Sequence, residues 1–151
     1  MPSTLFLPLI RELVSSFQAF EMYSAVHIRT LELTPPQFDI IATLGNTTGM
    51  TPKLLGERTL ITKGTLTGVV DRLEHKGLVR RIASPSDGRS QIVQLSATGQ
   101  SLFERIFPAH IKHLEVAFAN LPEADLIETT NKLRALRIAL SETAEAQRNL
   151  T

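Results

Sequence analysis

The sequence lacks residues and runs that several classes of protein require. It contains no cysteine, which excludes disulfides, thiolate metal sites, cysteine nucleophiles and thiol-based redox sensing within this chain. No apolar run approaches the about 18 residues of a membrane-spanning helix, so we expect no membrane partner. The start, MPSTLFLPLIRELV, has no basic segment and reaches Glu12 early, so we expect no secretory signal and a cytoplasmic location.

Sequence motifs of catalysis are also missing. The chain has no Gly-rich phosphate loop, no GxSxG element and no pair of carboxylates set in a loop, so we expect neither an enzyme nor a bound cofactor. Apolar residues make up 42% of the 151 residues and charged residues 21%, which is typical of a folded chain. The length indicates one domain, or one domain with a helical appendage.

Charge is unevenly distributed, although the net charge is only +1. Residues 51–95 contain eight Lys and Arg against four Asp and Glu, whereas the rest of the chain has eight against eleven. A basic middle between acidic flanks fits a DNA-binding surface carried by a scaffold that does not bind DNA. Charge alone does not separate this interpretation from chance fluctuation.

The first half of the chain shows apolar residues at steps of three and four, which predicts amphipathic helices. A helix over roughly residues 4–31 has a wide apolar stripe that needs a partner helix to cover it. Thr34 and Thr51 are each followed by proline and are predicted to cap the next two helices. The first of them has an inner face of Phe38, Ile40, Ile41 and Leu44, and these two helices should end near Gly45 and Thr59.

Residues 62–76 are predicted to form a further helix, called here the reading helix. Its inner face consists of Leu66, Val69, Val70 and Leu73, and Gly77 stops it. Two Val- and Ile-rich runs follow, LVRRIA and SQIVQLS, joined by a turn with Pro85, Asp87 and Gly88. They predict a two-stranded hairpin, called here the wing. Arg80 and Arg81 should point to opposite faces of its first strand, so that at most one faces DNA.

The last third of the chain predicts two helices. The first begins at Ser96 or Thr98 and runs toward Ala119, and Pro108 within it predicts a kink or a break. The second begins after Leu121-Pro122, with Glu123 and Asp125 at its positive end.

This order of elements resembles the MarR family of winged helix-turn-helix regulators. The resemblance runs from Leu33 to about Leu140 and rests on LTPPQFDIIATL, LLGERTLITKGTLTGVVDRLEHKGLV, SDGRSQIVQLSATG and LPEADL in that order. It implies a mainly α fold with a small β-hairpin wing. It also implies a homodimer whose DNA-binding lobe is residues 34–98, with dimerisation regions at 1–33 and 99–151.

The resemblance further implies that the wing has an Asp-x-Arg element whose arginine enters the minor groove. Asp87 and Arg89 occupy it here, with Gly88 where many relatives have a second basic residue. We interpret Asp87 as a turn former that supports the wing. Asp71 on the reading helix is expected to pair with a wing arginine, or to form an ordinary surface salt bridge.

The major groove accepts one α-helix, and side chains near its N-terminus read the base edges. Threonines can hydrogen-bond to phosphates or bases and can contact a thymine methyl, while glycines allow close approach. An arginine on a hairpin tip suits a narrow minor groove. The predicted DNA-binding residues are Thr62, Lys63, Gly64, Thr65, Thr67, Gly68, Arg72, Arg89 and Lys53.

Relatives in the family respond to small phenolic or aromatic acids bound between the dimerisation helices and the reading lobe. The polar candidates for that pocket are Tyr23, His27, Arg29 and His110, each of which also fits a structural role. His110 and His113 lie three apart and could hold a metal with Glu21 or Glu115, but no third ligand is settled, so no metal site is predicted.

We therefore expect a sequence-specific regulator, a repressor, that binds double-stranded DNA at a pseudo-palindromic operator as a homodimer. A small aromatic or phenolic effector is expected to release it. The alternatives are a metal-responsive regulator of the same fold, and a winged-helix protein-interaction module that does not bind DNA.

Overall fold

Helices dominate the chain and a single hairpin interrupts them in the computed structural model, which describes residues 4–151. The elements in chain order are α1 (Phe6–Thr30), α2 (Pro35–Leu44), α3 (Pro52–Arg58), α4 (Lys63–His75), β1 (Val79–Ala83), β2 (Gln91–Leu95), α5 (Ala97–Phe118) and α6 (Glu123–Arg148). This architecture confirms the predicted mainly α fold with a β-hairpin wing. Residues 1–3, which begin the predicted segment 1–33, lie outside the described residues.

Hydrogen bonds from side chains fix the starts of two helices where the sequence predicted them. The Thr34 hydroxyl accepts from the backbone N–H of Gln37, and the Gln37 side chain accepts in return from the N–H of Thr34. The Thr51 hydroxyl accepts from the N–H of Leu54 in the same way. Each cap satisfies a donor that the first helical turn leaves free, so both predicted caps are confirmed.

The core lies between α2, α3, α4, the hairpin and the first half of α5. The predicted inner faces of α2 and α4 are buried, and the most completely buried side chains are Ile40, Ile41, Leu44, Leu55, Leu73, Val93 and Ile106. Gly77 ends α4 with a φ of +74°, a left-handed conformation that glycine adopts without strain.

The wing is an antiparallel pair in which Arg80 lies opposite Gln94 and Arg81 opposite Val93. The chain just before α3 adds a third short partner at its base. Met50 and Val93 exchange two backbone hydrogen bonds of 2.9 Å each. The hairpin is therefore attached to the helical part of the lobe, and the loop of residues 84–90 projects beyond that attachment.

Helix α5 runs from Ala97 to Phe118 with Pro108 inside it, so of the kink or break predicted there the break does not occur. Proline removes the hydrogen bond to the carbonyl four residues earlier, which belongs to Glu104. Both Pro108 and Glu104 are exposed, so the ring and the free carbonyl lie on the outer side of the helix. The Ser96 hydroxyl caps the start by accepting from the N–H of Gly99 at 3.0 Å.

The chain divides into two compact units, one ending at Leu114 and the other beginning at Glu115. In the first unit, the apolar stripe of α1 is uncovered, and Phe6, Leu9, Ile10 and Val14 each expose 48–51% of their surface. In the second unit, α6 has no buried residue. Within residues 4–151, no helix combines the length and apolarity needed to cross a membrane.

Candidate nucleic-acid interface

Helix α4 presents its polar side outward because its apolar side is packed into the core. Leu66, Val69, Val70 and Leu73 are buried, and the N-cap residue Thr62 has extended backbone angles. The Thr62 hydroxyl does not cap the helix but donates to the Thr65 hydroxyl at 3.0 Å. This exposed end therefore offers hydroxyl groups, together with N–H groups of the first turn that no side chain caps.

Two glycines make the outer surface of α4 smooth. Around the position of an added Cβ at Gly64 or Gly68, no atom of the described chain beyond the local helix lies within 4 Å, and neither residue has a positive φ. Glycine in a helix costs about 0.5–1 kcal/mol relative to alanine. Nothing inside the described protein therefore requires glycine at these two positions. Close approach of another molecule to this face of α4 would require it.

The residues predicted to bind DNA are accessible. All but one are exposed, and Gly68 is half-buried. The exposed members are Thr62, Lys63, Gly64, Thr65, Thr67 and Arg72 at or on α4, Lys53 on α3, and Arg89 on the wing.

The wing tip is shaped by Asp87, whose two carboxylate oxygens accept different hydrogen bonds. One accepts from the backbone N–H of Arg89 at 3.0 Å and the other from the Ser90 hydroxyl at 3.3 Å. The side chain of Asp87 therefore closes the turn. The Arg89 guanidinium is exposed and forms no ion pair with any residue from 4 to 151.

The two strand arginines differ in their partners. Arg81 forms ion pairs with Asp71 and Glu74 of α4, and only 20% of its side chain is exposed. Arg80 is exposed and donates to the Gln94 side chain. The sequence predicted a partner for Asp71 but not the role of Glu74, although Glu74 lies one helical turn further on the same face.

Residues of α1, α2, α4, α5 and the α3–α4 turn line a cavity of about 780 Å³ that is partly open to solvent. Of the four residues predicted to line a ligand pocket, His110 lines this cavity. Tyr23, His27 and Arg29 lie outside it. Arg29 is exposed, and the Tyr23 hydroxyl donates to the carbonyl of His113 at 2.7 Å.

His110 belongs to a stack of aromatic rings between α1 and α5. Its Nδ1 lies 2.9 Å from Nδ1 of His27, and its Nε2 lies 3.1 Å from the Ser24 hydroxyl. Burial, together with repulsion from His27 and His113, lowers the pKa of His110 to about 4. Burial, followed by repulsion from His113, also lowers the pKa of His27. His110 is therefore neutral at pH 7.

The imidazoles of His110 and His113 face different partners. His113 Nε2 lies 3.0 Å from the carbonyl of Tyr23, whereas His110 faces His27 and Ser24. Among residues 4–151, no three His, Asp or Glu side chains come together in a way that could hold a metal ion. His110 and His113, whose spacing suggested a possible metal site, therefore gain no third ligand from Glu21 or Glu115.

Asp39 is a candidate site residue that the sequence did not reveal. It lines the cavity, and its carboxylate accepts from the N–H of Leu60 at 3.1 Å. Burial raises the pKa of Asp39, and the hydrogen bond from Leu60 opposes that shift. The only available signal was an acid between Phe38 and Ile40, two apolar residues of a predicted inner face.

Known proteins resemble this chain in sequence. The MarR family model matches residues 33–91. The HTH-type transcriptional regulator MhqR of Bacillus subtilis is 32% identical over 108 residues, which cover 72% of this chain and 74% of that protein.

Solved structures show the same fold. The MarR family regulator Sco3205 from Streptomyces coelicolor, solved in complex with DNA, matches with a TM-score of 0.78 at 22% identity. The match covers 89% of this chain and 86% of the Sco3205 chain. NadR in complex with 4-hydroxyphenylacetate has a TM-score of 0.70 at 24% identity, covering 82% and 88% of the two chains.

Proposed function

This chain belongs to the MarR family and is a DNA-binding transcriptional regulator, and we propose that it acts as a homodimeric repressor released by a small aromatic ligand. Its homologues are transcriptional regulators and not enzymes. In the proposed complex, two copies of α4 enter successive major grooves of a pseudo-palindromic operator about 34 Å apart. The wings contact the flanking minor grooves.

The exposed face of α4 supports its assignment as the reading helix. Its start carries the hydroxyls of Thr62 and Thr65, which can bond to phosphates or base edges. Gly64 and Gly68 leave room for the helix backbone to approach DNA closely, and this is the observation that carries the proposal. Arg72 lies further along α4, where it can reach a phosphate or a guanine.

The wing supports a minor-groove contact through Arg89. The Asp87 side chain closes the turn through its own hydrogen bonds, so the anion is occupied within the loop. The exposed guanidinium of Arg89 has no ion-pair partner among residues 4–151 and is available to a phosphate-lined groove. Arg81 is held by two acids, so we assign it to wing support together with Asp71.

Exposed apolar side chains support the homodimer. The stripe on α1 includes Leu9, Leu13 and Phe17, each at least 37% exposed, and α6 exposes Ile127 and Leu133. Exposed apolar side chains that lie together on one helix face are typical of association surfaces. We assign dimerisation to the predicted regions 1–33 and 99–151, and DNA binding to residues 34–98.

Release by a ligand is supported by the location of the cavity. Its lining includes Thr62 and Thr65, which also belong to the proposed DNA-binding set. A molecule that fills the cavity contacts the start of α4 directly. Among structural neighbours, NadR is solved with 4-hydroxyphenylacetate. A metal-responsive regulator has no comparable support, since His110 and His113 face different partners.

The experiment that tests this function is selection of bound sites from random duplex DNA, followed by titration of the Arg89→Ala variant. We expect a twofold-related site, and a loss of about 1–3 kcal/mol in affinity for the variant with unchanged folding. The slope of log affinity against log salt should also fall by about one per arginine removed. The control is Lys132→Ala, which removes a cation of α6 that is not among the proposed DNA-binding residues. It should bind the operator with the affinity of the wild type.

A further inference from the structure

The cavity is mainly apolar, and its few ionisable groups define its chemistry. The ionisable side chains in the lining are those of Glu21, Asp39 and His110, and neither lysine nor arginine is among the lining residues. The remaining polar groups are the neutral side chains of Gln18, Ser24, Thr62 and Thr65.

None of these groups supplies a positive charge at neutral pH. His110 is only 3% exposed, and its lowered pKa, about 4, keeps it neutral. Asp39 forms no ion pair with any residue from 4 to 151. One oxygen of its carboxylate accepts from the N–H of Leu60, and the acid remains an acceptor for a second donor.

An anionic ligand would therefore lose its hydration without gaining a counterion. Burying a carboxylate is costly unless a cation or several donors compensate, and here it would lie near the carboxylates of Glu21 and Asp39. The apolar walls, which include Phe38 and Phe107, favour an aromatic ring instead. A donor group on such a ring can bond to Asp39.

We propose that this cavity selects aromatic molecules that carry a hydrogen-bond donor and no negative charge, and that it rejects aromatic carboxylates. The inference rests on the proposed ligand control of DNA binding, and it names the chemical class of the effector. The cavity thus differs in charge from one suited to the carboxylate 4-hydroxyphenylacetate, the ligand present in the NadR structure.

The same contacts connect the ligand to DNA binding. Asp39 on α2 holds the backbone of Leu60, which lies in the turn just before Thr62. A ligand that donates to the other oxygen of Asp39 bonds to the same carboxylate that holds Leu60, and so bears directly on this turn. It also contacts Thr62 and Thr65, whose hydroxyls bond to each other at 3.0 Å. Binding should therefore displace the start of α4 from its DNA-reading position.

The test uses the full chain and three ligands that share a 4-hydroxyphenyl ring and carry a neutral, an anionic or a cationic side chain: 4-hydroxyphenylacetamide, 4-hydroxyphenylacetate and tyramine. Isothermal titration at pH 7.5 should give the neutral amide an affinity about tenfold or more above that of the acid. The amide should also weaken operator binding in a mobility-shift titration. Tighter binding of the acid than of the amide, or rejection of the cationic tyramine as strong as that of the acid, would overturn the proposal.

Two variants locate the effect. Asp39→Asn keeps an oxygen that can accept from Leu60 and removes the negative charge, so the preference for amide over acid should shrink several-fold. Asp125→Asn, the same change on α6, should leave the preference unchanged. If Asp39→Asn prefers the amide over the acid as strongly as Asp125→Asn does, the role of Asp39 is overturned. The comparison of the three ligands on the wild type does not depend on either variant folding.

The outcomes separate this inference from the proposed function. If none of the three ligands binds while site selection yields an operator, the ligand class is wrong and the DNA-binding proposal stands. If the amide binds but no twofold operator emerges, the operator proposal fails and the chemistry of the cavity stands.

Discussion

The glycine at position 68 allows folding and DNA binding to be separated by one methyl group. Gly68→Ala places a Cβ where no atom of the described chain beyond the local helix lies within 4 Å. Gly68 is an interior residue of α4 and does not have a positive φ, so alanine fits its backbone. We expect the free energy of unfolding to rise by about 0.5–1 kcal/mol.

The same methyl group should harm DNA binding. If α4 approaches a groove closely at Gly68, the added carbon meets a base or a backbone atom of DNA in both half-sites. We expect the operator affinity to fall about tenfold or more, which corresponds to roughly 1.4 kcal/mol. A gain in stability combined with a loss of function is not expected from damage to the fold.

Thermal unfolding and mobility-shift titration measure the two effects. For a chain of this length the melting temperature should rise by about 2–4 °C per kcal/mol, measured at matched protein concentration because the proposed dimerisation would contribute to stability. The control is Gly56→Ala in α3, where the new Cβ lies 3.6 Å from the Leu66 side chain, inside the lobe. It should leave operator affinity unchanged. If Gly68→Ala binds the operator as tightly as the wild type, the reasoning about the glycines is refuted.

Three further perturbations test other parts of the structure. Phe17→Glu places a charge in the α1 stripe. Because Phe17 is 40% exposed, association can bury only that fraction, worth about 0.6–1.2 kcal/mol per protomer, and its loss should raise the dimer dissociation constant about tenfold or more by sedimentation. His110 has a lower pKa when folded than its ordinary 6.5, so the unfolded chain binds its proton more tightly. The free energy of unfolding should therefore fall as pH drops from about 6.5 toward 4, and urea titrations should show a shallower fall for His110→Gln. Gly99→Ala would put a Cβ 1.9 Å from the carbonyl oxygen of Leu78, and we expect it to destabilise the protein by about 3 kcal/mol or more by urea unfolding.

Features that depend on neighbouring residues could be predicted from the sequence. The caps at Thr34 and Thr51 need only a hydroxyl, a proline and the spacing of apolar residues. The inner face of α4 follows from its periodicity, and every residue of that face is buried. These are local interactions, so their residue types identify them without any knowledge of the fold.

Features that depend on helix orientation could not be predicted in the same way. The break expected at Pro108 did not occur because the proline and its free carbonyl both face outward, which the sequence does not reveal. Tyr23, His27 and Arg29 were predicted to line a ligand pocket, whereas the residues of α1 that line this cavity include Glu21, Ser24 and Ile28, and the sequence does not show which side of α1 faces it. Asp39 was missed because it is a candidate site residue only by lining the cavity, and the sequence does not show which residues form that cavity.

The attachment of the wing bears on how much an operator can vary. Met50 bonds to Val93, and Arg81 bonds to two acids of α4, so the base of the hairpin moves with the reading helix. The tip, by contrast, is closed by bonds among Ser84, Asp87, Arg89 and Ser90. Because the wing and α4 keep a fixed spacing within one lobe, natural sites should tolerate a base change in the outer flank far better than a base pair inserted between the major-groove contact of α4 and the minor-groove contact of the wing.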